Sequence, residues 1–194
     1  MHKPLNLISA LSIAMASLLA TATPAHADSA AVSLDRTQFI KAMLDNHNAE
    51  RVRLGLPTLA WDDQLASDAS VWAKEMAATD YFEHDEESEA AEKQGENLWM
   101  GTRGAYSLAE MVDGWVEEKK HYRTGGVFPE VSRTGNYADV GHYTQLIWKD
   151  TRHVGCALTQ SKDWEYLVCR YDPPGNYEGE VAELGQTGTQ YARR

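Results

Sequence analysis

Two glutamates and a set of histidines are the groups in this chain best suited to chemistry. The stretch from Ser107 to Tyr122 has the apolar period of a helix. With Met111 at 0°, Trp115 falls at about 40°, Tyr122 at about 20° and Leu108 at about 60°. Glu118 falls at about −20°, inside this apolar arc, and Glu117 at about −120°, on the opposite flank. A carboxylate on a buried face is costly unless it is paired, hydrogen-bonded or beside a metal. Glu118 therefore either serves a site or holds a loop through backbone N–H groups. Glu96, between Gly95 and the apolar run Leu98-Trp99-Met100, poses the same question: it is drawn inward, or it is an edge-strand charge facing water. His47, His84, His121, His142 and His153 supply the complement. Imidazole nitrogens and carboxylate oxygens are donors that Zn²⁺ accepts. His84 lies just past a helix, and His142 lies in Gly141-His142-Tyr143-Thr144-Gln145, where Gly141 lets the backbone approach closely. Taken singly, each histidine is as readily a structural hydrogen-bonder. The chain has no H-E-x-x-H motif and no G-x-S-x-G elbow.

The elements that must position these groups are legible from their caps and periods. Asp35 with Gln38 reads as a capping box, and Leu34 with Phe39 as a hydrophobic staple. The first helix continues through Ile40, Met43, Leu44 and His47 to a stop at Gly55 and Pro57. Asp62 caps a second helix, in which Leu65, Ala69, Trp72 and Met76 form one face to about Thr79. An acidic loop follows over residues 83–92. Gly95 to Gly101 then reads as a buried strand or strand entry. Ser107 with Glu110 is a second capping box, opening a helix to about Tyr122. Residues 124–141 read as loop, and His142 to Trp148 as a short helix. Val154 to Gln160 and Trp164 to Tyr171 read as two antiparallel strands, with Pro173 and Pro174 ending the second. This order predicts an α+β domain.

Composition narrows the functions. The 194 residues carry a net charge of −11, with 43% hydrophobic and 24% charged residues, the values of one globular domain. An acidic surface repels phosphate backbones, so nucleic acid is excluded as a partner class. Residues 1–27 have a single early Lys3, an apolar core and an Ala25-His26-Ala27 cleavage motif, which predicts a secretory signal cleaved after Ala27. No later run is long enough to span a membrane, so a secreted or periplasmic, non-membrane-spanning monomer is expected. The predicted division is 1–27 signal peptide, 28–35 loose leader, 36–179 domain and 180–194 polar tail. In an exported chain the only two cysteines, Cys156 and Cys169, read as a disulfide between neighbouring strands, with two buried thiols as the alternative. Such a bridge adds about 2–3 kcal/mol in the entropic account.

Six stretches together resemble a known family. They are His47-Asn48 with Arg51, Gly95-Glu96-Asn97-Leu98, Trp115-Val116-Glu117-Glu118-Lys119 with Tyr122, Gly141-His142-Tyr143-Thr144-Gln145 with Trp148, Gly155-Cys156-Ala157, and Cys169-Arg170-Tyr171-Asp172-Pro173-Pro174-Gly175-Asn176-Tyr177. In this order, over about Thr37 to Gly179, they resemble the CAP superfamily of cysteine-rich secretory proteins, antigen 5 and plant pathogenesis-related protein 1. The resemblance implies a three-layer α-β-α sandwich with a central antiparallel sheet. It also implies a shallow cavity lined by a tetrad of His84, Glu96, Glu118 and His142. In such families the two histidines bind a divalent ion, most often zinc, so His84 and His142 become the metal ligands. His84 stands twelve positions before Glu96, farther than in close relatives, with the acidic insert between them. His47 matches the first-helix motif and is structural.

Three functions are compatible with these residues. The favoured one is a secreted binding module that holds a divalent cation and, as in some relatives, a lipid or sterol in a groove. The second is a metal-assisted hydrolase, a peptidase or cell-wall glycosidase, with Glu96 and Glu118 as catalytic carboxylates. The third is an extracellular interaction protein, for which the acidic loop is either a partner surface or simply solvated.

Overall fold

The computed structural model describes residues 35–86 and 89–183. Its helices are α1 (Arg36–Arg53), α2 (Asp63–Thr79), α3 (Glu89–Lys93), α4 (Leu108–Val116) and α5 (Gly141–Leu146). Its strands are β1 (Ala60–Trp61), β2 (Gly95–Thr102), β3 (His153–Gln160) and β4 (Trp164–Asp172). The sheet order is β1-β3-β4-β2. β3 and β4 form an antiparallel hairpin and β2 pairs antiparallel with β4, while the two-residue β1 adds a parallel edge to β3.

Alternation along β4 builds the three layers. Leu167, Cys169 and Tyr171 face a core that includes Met43 of α1, Met111 and Trp115 of α4, and Leu146 of α5. Tyr166 and Val168 face the other way, onto Ala69, Ala73 and Met76 of α2. Cys156 and Cys169 lie directly opposite in the β3–β4 register and are joined as a disulfide. α2 starts where expected, with the Asp62 carboxylate accepting the N–H groups of Gln64 and Leu65. Its first turn lies hard against β3: a Cβ on Gly155 would stand 2.2 Å from Ala66 N and 2.5 Å from Asp62 O, so only glycine fits there.

Three local expectations need correction. Asp35 does precede α1, but its side chain makes no capping bond, so the first capping box is not formed. Leu34 of the proposed staple lies outside the described residues; Phe39 packs edge-on against Trp61. The acidic segment is not all loop, because α3 occupies Glu89–Lys93. The predicted helix to Tyr122 is α-helical only to Val116 and tightens into a 3₁₀ turn over Glu117–Lys120.

The fold also runs past residue 179. Val181 bridges to Val127, Lys149 N–H donates to Ala182 O at 2.6 Å, and Ala182 is fully buried. The buried Glu183 carboxylate accepts the Gly125 N–H at 2.8 Å and the Tyr122 hydroxyl. Val181-Ala182 is too short an apolar run to show a period, so a polar tail was the natural reading. Residues 184–194, the predicted signal peptide 1–27 and all but the last residue of the predicted leader 28–35 lie outside the described residues.

Candidate functional site

The candidate site residues form two histidine–glutamate pairs, each held by a different device. The first pair depends on α4. A complete capping box opens the helix, with the Ser107 side chain accepting Glu110 N–H and the Glu110 carboxylate accepting Ser107 N–H. Trp115 Nε1 donates to Leu98 O at 3.0 Å and ties the helix to β2. In the 3₁₀ turn that follows, Glu117 is exposed and Glu118 is turned inward, as the helical period predicted. Glu118 Oε1 lies 2.6 Å from His142 Nδ1, and its Oε2 accepts the Tyr143 N–H at 3.0 Å. The His142 ring stacks on Trp115, with centroids 6.1 Å apart and planes 18° apart.

A second network holds the His142 backbone. Asn97 Nδ2 donates to His142 O at 3.0 Å and to the Tyr171 hydroxyl at 3.1 Å. His47 Nδ1 donates to Met43 O at 2.7 Å, so its Nε2, 2.8 Å from Tyr171 Oη, accepts the tyrosine proton. His47 is thus structural, as its motif implied. α5 itself seats on β2 through a missing side chain: a Cβ on Gly95 would lie 2.1 Å from Gln145 Oε1. That oxygen also accepts the Gly175 N–H at 2.8 Å. Gly141 does not play the part expected of it, because a Cβ there would meet nothing within 4 Å.

His47 carries a consequence for stability. It is fully buried, and desolvation, with a smaller contribution from the nearby Arg51 charge, lowers its pKa from 6.5 to about 4. Between those values the unfolded chain binds a proton that the folded chain refuses. Stability is therefore intact above pH 6.5 and falls as pH drops toward 4, by about 3 kcal/mol in all. Glu50, whose pKa is lowered first by its bond to Arg53, acts in the same sense, whereas burial raises that of Glu183 and acts oppositely. Urea unfolding from pH 7 to 4 should show this slope in the wild type and a shallower one in His47→Gln; equal slopes would refute the assignment.

The second pair sits on the sheet edge. Glu96 follows Gly95 on β2 and lies directly opposite Arg170 on β4. It is drawn inward, with 8% of its side chain exposed. Its Oε1 lies 2.6 Å from His84 Nδ1 and accepts the Asp85 N–H at 3.2 Å. Its Oε2 lies 2.8 Å from Arg170 Nη2, a charge contact without hydrogen-bond alignment. The same Nη2 donates to Asp85 Oδ2 at 2.7 Å. His84 itself is more open, with 56% of its side chain exposed. Beside it lies a groove of about 480 Å³, walled by Trp72, Met76, Tyr81 and four carboxylates.

The structure thus joins His84 to Glu96 and His142 to Glu118, and neighbouring β2 residues serve both pairs, Glu96 one and Asn97 the other. The side chains of His121 and His153 bond to none of the four among the described residues. Both paired imidazoles present Nδ1 to a carboxylate. In the neutral ring this places the proton on Nδ1 and leaves the Nε2 lone pair for another partner. Among the described residues, no three His, Cys, Asp or Glu side chains converge as ligands for one ion. The carboxylates are therefore partners of the imidazoles. Arg170, Asp85, Asn97 and Gln145 are the supporting residues that single-residue reasoning missed. Asn97, Arg170 and Gln145 stood in recognised motifs, but their contacts follow from the β2–β4 register and the seating of α5, which no local pattern encodes.

A three-layer α-β-α sandwich carrying two imidazole–carboxylate pairs, one of them on the edge strand, is the class the chain presents. The chain belongs to the cysteine-rich secretory protein (CAP) family, whose profile it matches over residues 44–171. It is 40% identical over 139 residues to pathogenesis-related protein 1A of Nicotiana tabacum, a match covering 71% of this chain and 76% of that one. It is 32% identical over 154 residues to secreted protein RBT4 of Candida albicans, covering 78% of this chain and 39% of that one. Among solved structures it resembles NaASP2 with Zn²⁺, with a TM-score of 0.62 and 25% identity over 74% of this chain and 84% of that one. No helix among the described residues is long and apolar enough to cross a membrane.

Proposed function

We propose that this chain is an exported binding protein that takes one divalent cation, zinc foremost, on Nε2 of His84 and Nε2 of His142. The observation that carries the reading is the pair of Nδ1–carboxylate contacts at 2.6 Å, one on each imidazole. A carboxylate behind a histidine fixes its tautomer and raises its basicity, the usual arrangement behind a metal-bound imidazole. The fit is one of donor chemistry: two neutral nitrogens with two carboxylates offsetting the added charge. An ion so held supplies a Lewis-acid centre with positions open to water or an anion. The likeness to a structure containing Zn²⁺ adds support, as does the likeness to a secreted protein for export by residues 1–27.

Binding is favoured over hydrolysis by the state of the two carboxylates. Glu118 spends both oxygens on His142 and the Tyr143 amide, and Glu96 spends its own on His84, Asp85 and Arg170. Each of these oxygens already lies against a partner, which weighs against general acid–base work. The four carboxylates around the groove favour a cation there over the lipid or sterol that the resemblance raises. Equilibrium dialysis against Zn²⁺, with metal analysis, is expected to give about one ion per wild-type chain and none in folded His84→Ala/His142→Ala. Equal occupancy in the two proteins would reject the reading.

A further inference from the structure

The two pairs are held by unlike means. Glu118 is fixed by a backbone amide of the helix that also carries His142, so that pair is set by the fold itself. Glu96 and His84 come from separate segments, a β-strand and a stretch without regular structure, and Arg170 is a buried cation against Glu96. Arg170 is 1% exposed, and one nitrogen, Nη2, contacts Asp85 Oδ2 at 2.7 Å and Glu96 Oε2 at 2.8 Å. The Asp85 N–H returns to Glu96 Oε1, closing a ring of contacts from Arg170 through Asp85 to Glu96.

We infer that Arg170 is a positioning residue for His84: it draws Asp85 against the sheet edge and occupies Glu96 Oε2, leaving Oε1 to fix the His84 tautomer. The position of His84 follows from this. Its ring is over half exposed and, among the described residues, lacks the aromatic backing that Trp115 gives His142. Trp72 Nε1 also ties the segment down, donating to Glu83 O at 3.0 Å. That bond fixes the chain two residues before Asp85, but not the rotation of the imidazole. A buried guanidinium between two carboxylates also offsets the cost of bringing both into the protein, and removing it leaves their charges facing each other. The consequence is selective: loss of Arg170 should free His84 and spare His142.

This inference concerns the site of the proposed function, but its main test needs no metal. In metal-free protein labelled with ¹⁵N-histidine, recorded above the imidazole titration, both His84 and His142 should show a protonated Nδ1 and a bare Nε2. Arg170→Gln should move His84 toward the Nε2–H form and leave His142 as it was. Arg170→Lys, which keeps the charge, should restore much of the His84 signal. If Arg170→Gln does not fold, Asp85→Asn gives the same reading by cutting one arm of the ring, with a smaller shift confined to His84. A His84 spectrum unchanged in every folded variant, or a shift of both histidines alike, overturns the inference. Zinc affinity is the second arm, expected to fall about tenfold in Arg170→Gln. Altered tautomers in a protein that binds no zinc would reject the metal reading and leave the role of Arg170 standing.

Discussion

Replacing Arg51 with methionine is expected to cost about 3–5 kcal/mol of folding stability. Arg51 is fully buried on α1 and has no carboxylate partner among the described residues. Its guanidinium instead donates to four backbone carbonyls: Pro57 O at 2.8 Å, Leu146 O and Trp148 O at 2.9 Å, and Thr151 O at 3.0 Å. Desolvation lowers its pKa from 12.5 to about 10, which still leaves it charged at neutral pH. Methionine removes the buried charge and withdraws a donor from all four carbonyls; Trp148 O keeps the Thr151 N–H and Thr151 O keeps Arg152 Nη1, while an orphaned buried acceptor such as Leu146 O costs about 1–3 kcal/mol. Lysine keeps the charge but cannot present the planar fork that reaches three segments at once, so Arg51→Lys should recover only part of the loss. Denaturant unfolding at neutral pH checks this, and a loss below about 1 kcal/mol for Arg51→Met would mean that the carbonyls find other donors. The effect should reach the site, because Leu146 and Trp148 end the segment that begins with His142.

Arg51 also illustrates what could and could not be seen in the sequence. The apolar period of α1 picked out Met43 and His47, but a period of hydrophobic residues passes over a buried arginine, and only the family resemblance drew attention to it. The Ser107 capping box and the Asp62 cap were legible because each is a short-range bond between residues two or three apart. The hairpin was legible because β-rich runs flank a tight turn, and the pairing of Cys156 with Cys169 followed from export and spacing. Glu118 was separated from Glu117 by the helical period alone, and that argument survived the tightening of the helix because Glu118 lies only two residues past Val116. The partners of the tetrad were not legible. Glu96 meets Arg170 through the register of strands more than seventy residues apart in sequence. The close seating of Gln145 on Gly95 depends on the absence of a Cβ, which a sequence shows only as one more glycine. The packing of residues 181–183 was not legible for a related reason: Val181 bridges to Val127 and Ala182 is buried, both through partners from distant loops.

Replacing His142 with alanine is expected to weaken Zn²⁺ binding by about 100-fold or more, beyond the usual cost of losing a partner behind a ligand. His142 is the better ordered of the two proposed ligands, since Trp115 backs its ring and Glu118 holds its Nδ1. His84→Ala should therefore cost less, because more of the more exposed ring's affinity is already spent on ordering it. Glu118→Gln tests the tautomer argument without removing a ligand. The glutamate accepts from two donors, His142 Nδ1–H and Tyr143 N–H, whereas an amide offers one oxygen and one NH₂. If the oxygen faces His142, the NH₂ opposes the Tyr143 N–H. If the NH₂ faces His142, the imidazole must accept at Nδ1 and carry its proton on Nε2, where no metal can then bind. Either arrangement lowers affinity, by about 10–100-fold, while the fold is largely preserved. Isothermal titration with Zn²⁺ on folded variants gives the order wild type, Glu118→Gln, His142→Ala from tightest to weakest. Wild-type affinity in His142→Ala would remove the metal from this site, and wild-type affinity in Glu118→Gln would show that the carboxylate does not set the proton on His142.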